Sequence, residues 1–295
     1  MKQLTQAVVE QWVSLASGQF NVRSVWNELG IESPEGKSHL RVILGRLKAK
    51  GLLAKDPSRD DIYRIVDSEI SGIDWQAADP KKTIPLKFPF ELEAHARIYP
   101  KSIIILAGSK NAGKTAWLYN FIILNMGKFK IDLFNSETGP EQMNERFSPF
   151  DIPTPAPFNV YERYDNFSDV IHPDHISVID YLDFNSEVYL VGAEIDAIFR
   201  KLNKGVAVIG LQKPPPSITF VKGVKKVIER DLAYGGGFTA KRSVLYISMG
   251  GNKLKLVYVK TPAVPTVNPN NMAWSFSFNS SGSHFENIQR HFGEE

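Results

Sequence analysis

The chain has 295 residues, more than one ordinary core needs, so two domains are expected. Hydrophobic residues at 43% and charged residues at 23% exclude a disordered or coiled-coil protein, and the lack of cysteine excludes disulfides and thiolate zinc sites. The net charge of +3 permits nucleic-acid binding without arguing for it, so local clustering has to decide.

Residues 1–68 read as three short helices followed by a hairpin. Leu4, Val8, Val9, Trp12, Val13 and Leu15 recur at helical spacing, as do Val22, Val25, Trp26 and Leu29, stopped by Gly30. Leu40, Ile43, Leu44 and Leu47 mark a third helix, which Gly51 closes. Two short apolar runs then flank a Pro, Ser and Asp turn in LLAKDPSRDDIYRIV, the pattern of a hairpin. Together these elements predict a winged helix-turn-helix domain.

Residues 69–100 carry Pro80, Pro85, Pro89 and Pro100 with little periodicity and read as a linker and a lead-in strand. An ATPase domain is expected over 101–282, with a C-terminal tail at 283–295. Within it SIIILAG, KIDLF, HISVIDYL and GVAVIGL are apolar runs separated by helical stretches, which predicts an α/β fold with a mostly parallel sheet covered on both faces. SVLYIS and KLKLVYV follow closely on one another and predict an antiparallel edge hairpin. Neither an internal repeat nor a low-complexity tract occurs.

Gly108, Ser109, Lys110, Asn111, Ala112, Gly113, Lys114 and Thr115 satisfy the Walker A pattern directly after a buried strand and before the helix AWLYNFIIL. Glycines let backbone amides turn toward phosphate oxygens, and the helix N-terminus adds partial positive charge. ATP and magnesium are the implied cofactors, with Lys114 on the β and γ phosphates and Thr115 on the metal. Asp180 ends the strand HISVID, where a carboxylate accepts a hydrogen bond from magnesium-bound water; capping a following helix is its plainer reading. Asp183 is a second candidate. Glu137 closes KIDLFNSE, in position to polarise an attacking water or to cap the helix beginning near Pro140. Gln212 ends GVAVIGLQ, as a γ-phosphate sensor or as a surface glutamine.

Taken in order, AGSKNAGKTAWL, FNSETGPEQMNERF, SVIDYLDF and VAVIGLQKPP resemble the core motifs of DnaB-type replicative helicases and their RecA and RadA relatives, over about residues 95–262. The resemblance implies a RecA-like P-loop fold with Glu137 as catalytic base, Asp180 as the magnesium carboxylate and Gln212 as the strand-end glutamine. It also implies a homo-oligomer in which a late strand lends a lysine and an arginine to the neighbouring site. Lys260 matches that lysine, whereas Pro262 stands in the arginine position.

DNA is the expected partner, through two regions. Lys37, Arg41, Arg46 and Lys48 lie on the third helix, with no acidic residue from Lys37 to Lys55, as a helix entering a phosphate-lined groove requires. Protein contact by a winged module is the alternative use of that face. Lys222, Lys225 and Lys226 lie in a Gly- and Pro-bearing stretch that the resemblance places in channel loops binding single strands; an ordinary connector is the alternative there. The functional expectation is an ATP-hydrolysing DNA-binding motor or remodelling protein, with helicase activity its most specific form. An ATP-gated DNA-binding regulator and an adaptor or loader for another motor are its rivals. The sequence contains no run of 18 apolar residues and opens without the apolar core of a signal peptide, so a cytoplasmic protein without membrane contact is expected.

Overall fold

The computed structural model describes residues 4–16, 18–67, 70, 72–182, 190–221 and 224–291, with backbone alone at 15, 218–221 and 224–228. Two compact units divide the chain, Met1–Ala78 and Asp79–Glu295.

The first unit contains α1 (Gln6–Leu15), β1 (Gln19–Asn21), α2 (Val22–Glu28), α3 (Pro34–Ala49), β2 (Leu53–Lys55) and β3 (Ile62–Ile65). Each helix starts where a short polar side chain accepts a free backbone N–H: Thr5 from Val8, Asn21 from Ser24 and Ser33 from Gly36. Val9, Val25, Leu40, Ile43, Leu44, Leu47 and Leu53 form its core, while Val8, expected on the inner face, is 40% exposed. β2 and β3 pair as the predicted hairpin, and β1 adds to β3 to give the order β1-β3-β2. The sequence reading lacks β1, because three residues are too few to display a period of two.

The second unit is built around a sheet of nine strands in the order β14-β13-β12-β11-β4-β8-β7-β5-β6. In chain order its elements are β4 (Ser102–Gly108), α4 (Lys114–Asn125), β5 (Ile131–Asn135), α5 (Pro140–Phe147), β6 (Asn159–Glu162), α6 (Phe167–Val170) and β7 (Ile176–Asp180). Then come α7 (Leu190–Lys201), β8 (Val206–Gln212), the separate hairpin β9 (Ser217–Val221) and β10 (Val224–Ile228), and α8 (Gly237–Ala240). β11 (Ser243–Gly250), β12 (Lys253–Val259), β13 (Ala273–Phe278) and β14 (Phe285–His291) complete it.

From β11 to β6 all neighbours are parallel. β4 is buried along its whole length because helices cover both faces. Its side chains alternate accordingly: Ile104 and Leu106 pack with Leu118, Phe121 and Ile122 of α4, whereas Ile103 and Ile105 pack with Ile195 and Ile198 of α7.

Three expectations need correction. β11 and β12 are antiparallel as predicted but are not an edge, since β13 and β14 continue the sheet. Trp274, Phe276 and Phe278 alternate with small residues, which is the strand signal that the reading of this region lacks. Residues 283–295 likewise do not form a tail throughout, because Phe285–His291 is β14. Before β4 there is no lead-in strand among the described residues. Pro89–Ala94 forms a 3-10 turn, and Leu86, Phe88, Phe90, Leu92 and Ile98 are buried in the α4-side core. Proline removes ladder donors from this segment, so among the described residues it pairs only at an isolated bridge, where Arg97 N donates to Thr261 O at 2.8 Å and Ala263 N to His95 O at 3.0 Å, and side chains anchor the rest. Asn125 of α4 accepts from Lys87 N at 2.9 Å and donates to Lys87 O at 2.7 Å.

Candidate nucleotide site

β8 and β7 are inserted between β4 and β5, so the carboxyl ends of β4, β8 and β7 lie side by side. In an open parallel sheet this rim is where ligands bind. The loop after Gly108 turns back through Asn111 at φ +61° and Gly113 at φ +89° into α4, leaving the first helical amides without intrahelical partners. A side chain at Gly113 would also collide with Phe278 of β13, whose Cζ lies 2.3 Å from the position of an added Cβ. The C-terminal hairpin therefore packs directly on the phosphate loop. Asn120 fixes it there by donating to Ser283 O at 2.7 Å.

Lys114 Nζ lies 3.3 Å from Gly108 O, 3.3 Å from Ser109 O and 3.0 Å from Gln212 Oε1. Burial holds its ammonium below the usual lysine range, with Asp180 and Glu137 opposing that shift and Lys213 adding to it. Asp180 is 2% exposed, and its Oδ1 has no hydrogen-bond partner. Burial pushes its carboxyl up to about 6, opposed by the Thr115 hydroxyl beside it, reinforced by Glu137 and opposed by Lys114 and Arg146. A buried carboxylate oxygen without a donor, next to a threonine hydroxyl, is the donor set that a hydrated magnesium ion completes.

Glu137 sits in the loop after β5, which neighbouring strands hold in place. Asn135 Nδ2 donates to Thr138 O at 2.5 Å, while its Oδ1 accepts from Glu137 N at 3.4 Å and Thr138 Oγ1 at 3.0 Å. Ser136 Oγ donates to Tyr181 O at 2.8 Å, tying this loop to the end of β7. Glu137, Gln212 and Lys110–Ala116 line one cavity of about 760 Å³, closed by Gln142, Arg146 and Phe150 on one side and by Phe278 and Ser281–Ser283 on another. The sequence reading missed Arg146, although it lies within FNSETGPEQMNERF, because the helical pattern there does not reveal which side chain turns toward the phosphate loop; it missed the C-terminal wall because that lies in no motif of fixed spacing.

Lys260 does not join this group. Lys253 of β12 stands opposite Gly250, beside the phosphate-loop end of the sheet, whereas Lys260 N bonds to Val244 O at the other end. Antiparallel pairing thus carries it away from its own chain's nucleotide rim. Asp183 and Lys222 lie outside the described residues. Lys225 and Lys226 are on β10, opposite Phe220 and Thr219 of β9.

On α3 the basic residues separate into two groups. Lys37 and Arg41 rest over the Trp26 ring of α2, at 5.1 and 5.3 Å from its centroid, with Arg41 still exposed. Arg46 and Lys48 are exposed in the last turn of α3.

No family model matches the chain, and no curated protein matches it. Among solved structures, one whose title describes an ATPase domain is 12% identical with a TM-score of 0.43, covering 65% of this chain and 86% of that one. Another, titled "Crystal structure of the RadB recombinase", is 10% identical with a TM-score of 0.41, covering 65% of this chain and 92% of that one. Among the described residues no helix is long and apolar enough to cross a membrane. A phosphate loop on β4, a carboxylate ending β7 and a glutamine ending the strand between them give this chain a RecA-like P-loop fold.

Proposed function

We propose that the chain is an ATP-hydrolysing, DNA-binding motor or remodelling protein. The observation that carries the ATPase reading is the meeting of Lys114, Gln212, Asp180 and Glu137 at one rim of the sheet. A passive nucleotide switch needs the first three, whereas Glu137 supplies the carboxylate that takes a proton from water. Thr115 and Asp180 would hold magnesium, which supplies charge neutralisation at the phosphates when bound. The loop amides and Lys114 bind the phosphates, and Glu137 orients and deprotonates the water.

The DNA reading rests on separate features. Three helices and a small three-stranded sheet in the order α1-β1-α2-α3-β2-β3 support reading the first unit as a winged helix-turn-helix, in which α3 would be the recognition helix. Arg46 and Lys48 are exposed in its last turn, and the β9–β10 hairpin follows the sheet strand that ends at Gln212. A homo-oligomer assembled on DNA is part of this proposal.

Measuring ATP hydrolysis alone, with single-stranded DNA and with duplex tests both halves. Turnover stimulated by DNA supports the motor. Turnover indifferent to DNA, with DNA binding that changes with nucleotide, makes the chain a nucleotide-gated regulator; failure to bind DNA at all makes it an adaptor or loader.

A further inference from the structure

We propose that Arg146 is the cation that stabilises the terminal phosphates during hydrolysis, supplied by the same chain that supplies Lys114 and Glu137. The proposal rests on the ATPase reading and adds a catalytic group to it. Arg146 occupies the last turn of α5, is half-buried, and lines the cavity together with Lys114, Thr115, Glu137 and Gln212.

Its position is fixed by packing on the phosphate-loop helix. The neighbouring Phe147 ring stacks on Tyr119 of α4 with centroids 4.0 Å apart and planes 11° from parallel. Phe158 packs on Phe147 from another side, at 5.5 Å. The helix itself starts at Pro140, just beyond the loop in which Asn135 holds Thr138, so Glu137 and Arg146 belong to one short, braced segment. A group mounted this way needs little reorganisation when substrate arrives, which is the condition for electrostatic stabilisation of a transition state.

Its charge also lacks a carboxylate partner among the described residues, the Tyr119 hydroxyl being the neutral group beside it. Among the described residues no carboxylate forms an ion pair with Arg146, although Asp180 and the Tyr119 hydroxyl both feel its field. A half-buried guanidinium facing a cavity without a counter-anion is best satisfied by an anionic ligand, and its planar fork suits phosphate oxygens. Lys260 lies at the opposite end of β12 and brings no cation to this rim in its own chain.

In the reaction, the oxygen of water bonds to the γ phosphorus as the bond from that phosphorus to the β,γ-bridging oxygen breaks. ADP leaves with the electron pair, and the water proton passes to the Glu137 carboxylate. Arg146 donates hydrogen bonds to the γ-phosphate oxygens, where negative charge is greatest in passage.

The test uses the full chain with Arg146→Met and Arg146→Lys, read by phosphate release and by equilibrium binding of a fluorescent ATP analogue. Arg146→Met is expected to lower kcat by roughly 100-fold or more while analogue affinity stays within about fivefold of the parent. Arg146→Lys keeps the charge but loses the fork, and should recover only part of the rate; it carries the test if the methionine variant does not fold. Mixing Arg146→Met with Glu137→Gln chains should restore nothing, because a cis arginine and its glutamate must be intact in one chain. Restored turnover on mixing, a parent-like kcat in Arg146→Met, or a loss confined to KM would each overturn the proposal. A parent protein that binds no ATP overturns the ATPase reading itself, a different result from a parent that turns over regardless of residue 146.

Discussion

Lys114 Nζ donates a 3.0 Å hydrogen bond to Gln212 Oε1, linking the phosphate loop to the end of the strand from which the β9–β10 hairpin departs. An arriving γ phosphate competes for the same ammonium. Replacing Gln212 by alanine should leave ATP binding within about threefold of the parent and cut turnover roughly tenfold, since the lysine keeps its carbonyl tethers but the strand-end amide is lost. Lys114→Ala should abolish binding and turnover together. Titration with a fluorescent ATP analogue, alongside phosphate release, separates the two variants.

Asp180 gives a pH-dependent prediction. Its carboxyl ionises near 3.8 when exposed and is pushed up to about 6 by burial, so the folded chain takes up a proton more readily than the unfolded chain. The ionised group therefore destabilises the fold above pH 6 by up to about 3 kcal/mol, and this penalty fades as pH falls from 6 toward 4. Asp180→Asn should raise the melting temperature of the nucleotide-free protein at pH 8, with the gain shrinking across that window. The same variant should lose magnesium-dependent nucleotide binding. Thermal unfolding at pH 8, 6 and 4.5 reads the first effect, and a lower melting temperature at pH 8 would show that burial is not the governing cause.

Gly113 and Phe278 make a steric prediction. Gly113→Ala places a side chain at φ +89° and a methyl group 2.3 Å from Phe278 Cζ, so it should cost more than about 2 kcal/mol and weaken ATP binding. Adding Phe278→Leu should return part of the stability by removing the collision, but not the part due to backbone strain. Denaturant unfolding of both variants distinguishes the two contributions.

Arg46 and Lys48 bear on DNA. If α3 meets a duplex, replacing both by alanine should weaken duplex binding and reduce the slope of log K against log salt by about 0.9 per lost phosphate contact. Basal ATP hydrolysis should be unchanged. Lys37→Ala should behave differently, lowering the stability of the first unit through lost contact with Trp26 and changing the salt slope little. Fluorescence anisotropy over a salt titration measures the slopes.

Much of this architecture is legible in the residues themselves, because it depends on local rules. The run from Ser102 to Gly108 is a buried strand by its apolar continuity, and the glycine and lysine spacing from Gly108 to Thr115 fixes a phosphate loop wherever it occurs. Asp180 and Gln212 were nameable because each ends a readable strand, and Glu137 because it follows one by two residues. Three facts depended on the tertiary structure. Antiparallel pairing of β12 sends Lys260 to the far end of the sheet, which its match to a sequence pattern does not reveal. Trp26 lies under Lys37 and Arg41, dividing a uniform run of positive charge into cations over an aromatic ring and cations, Arg46 and Lys48, in the last turn of α3. The α5 helix and the C-terminal hairpin bring Arg146 and Phe278 to the nucleotide cavity from positions 32 residues after Lys114 and 165 residues after Gly113, as numbered in the chain. Contacts between elements so distant in sequence depend on strand order and helix packing, which no local pattern encodes.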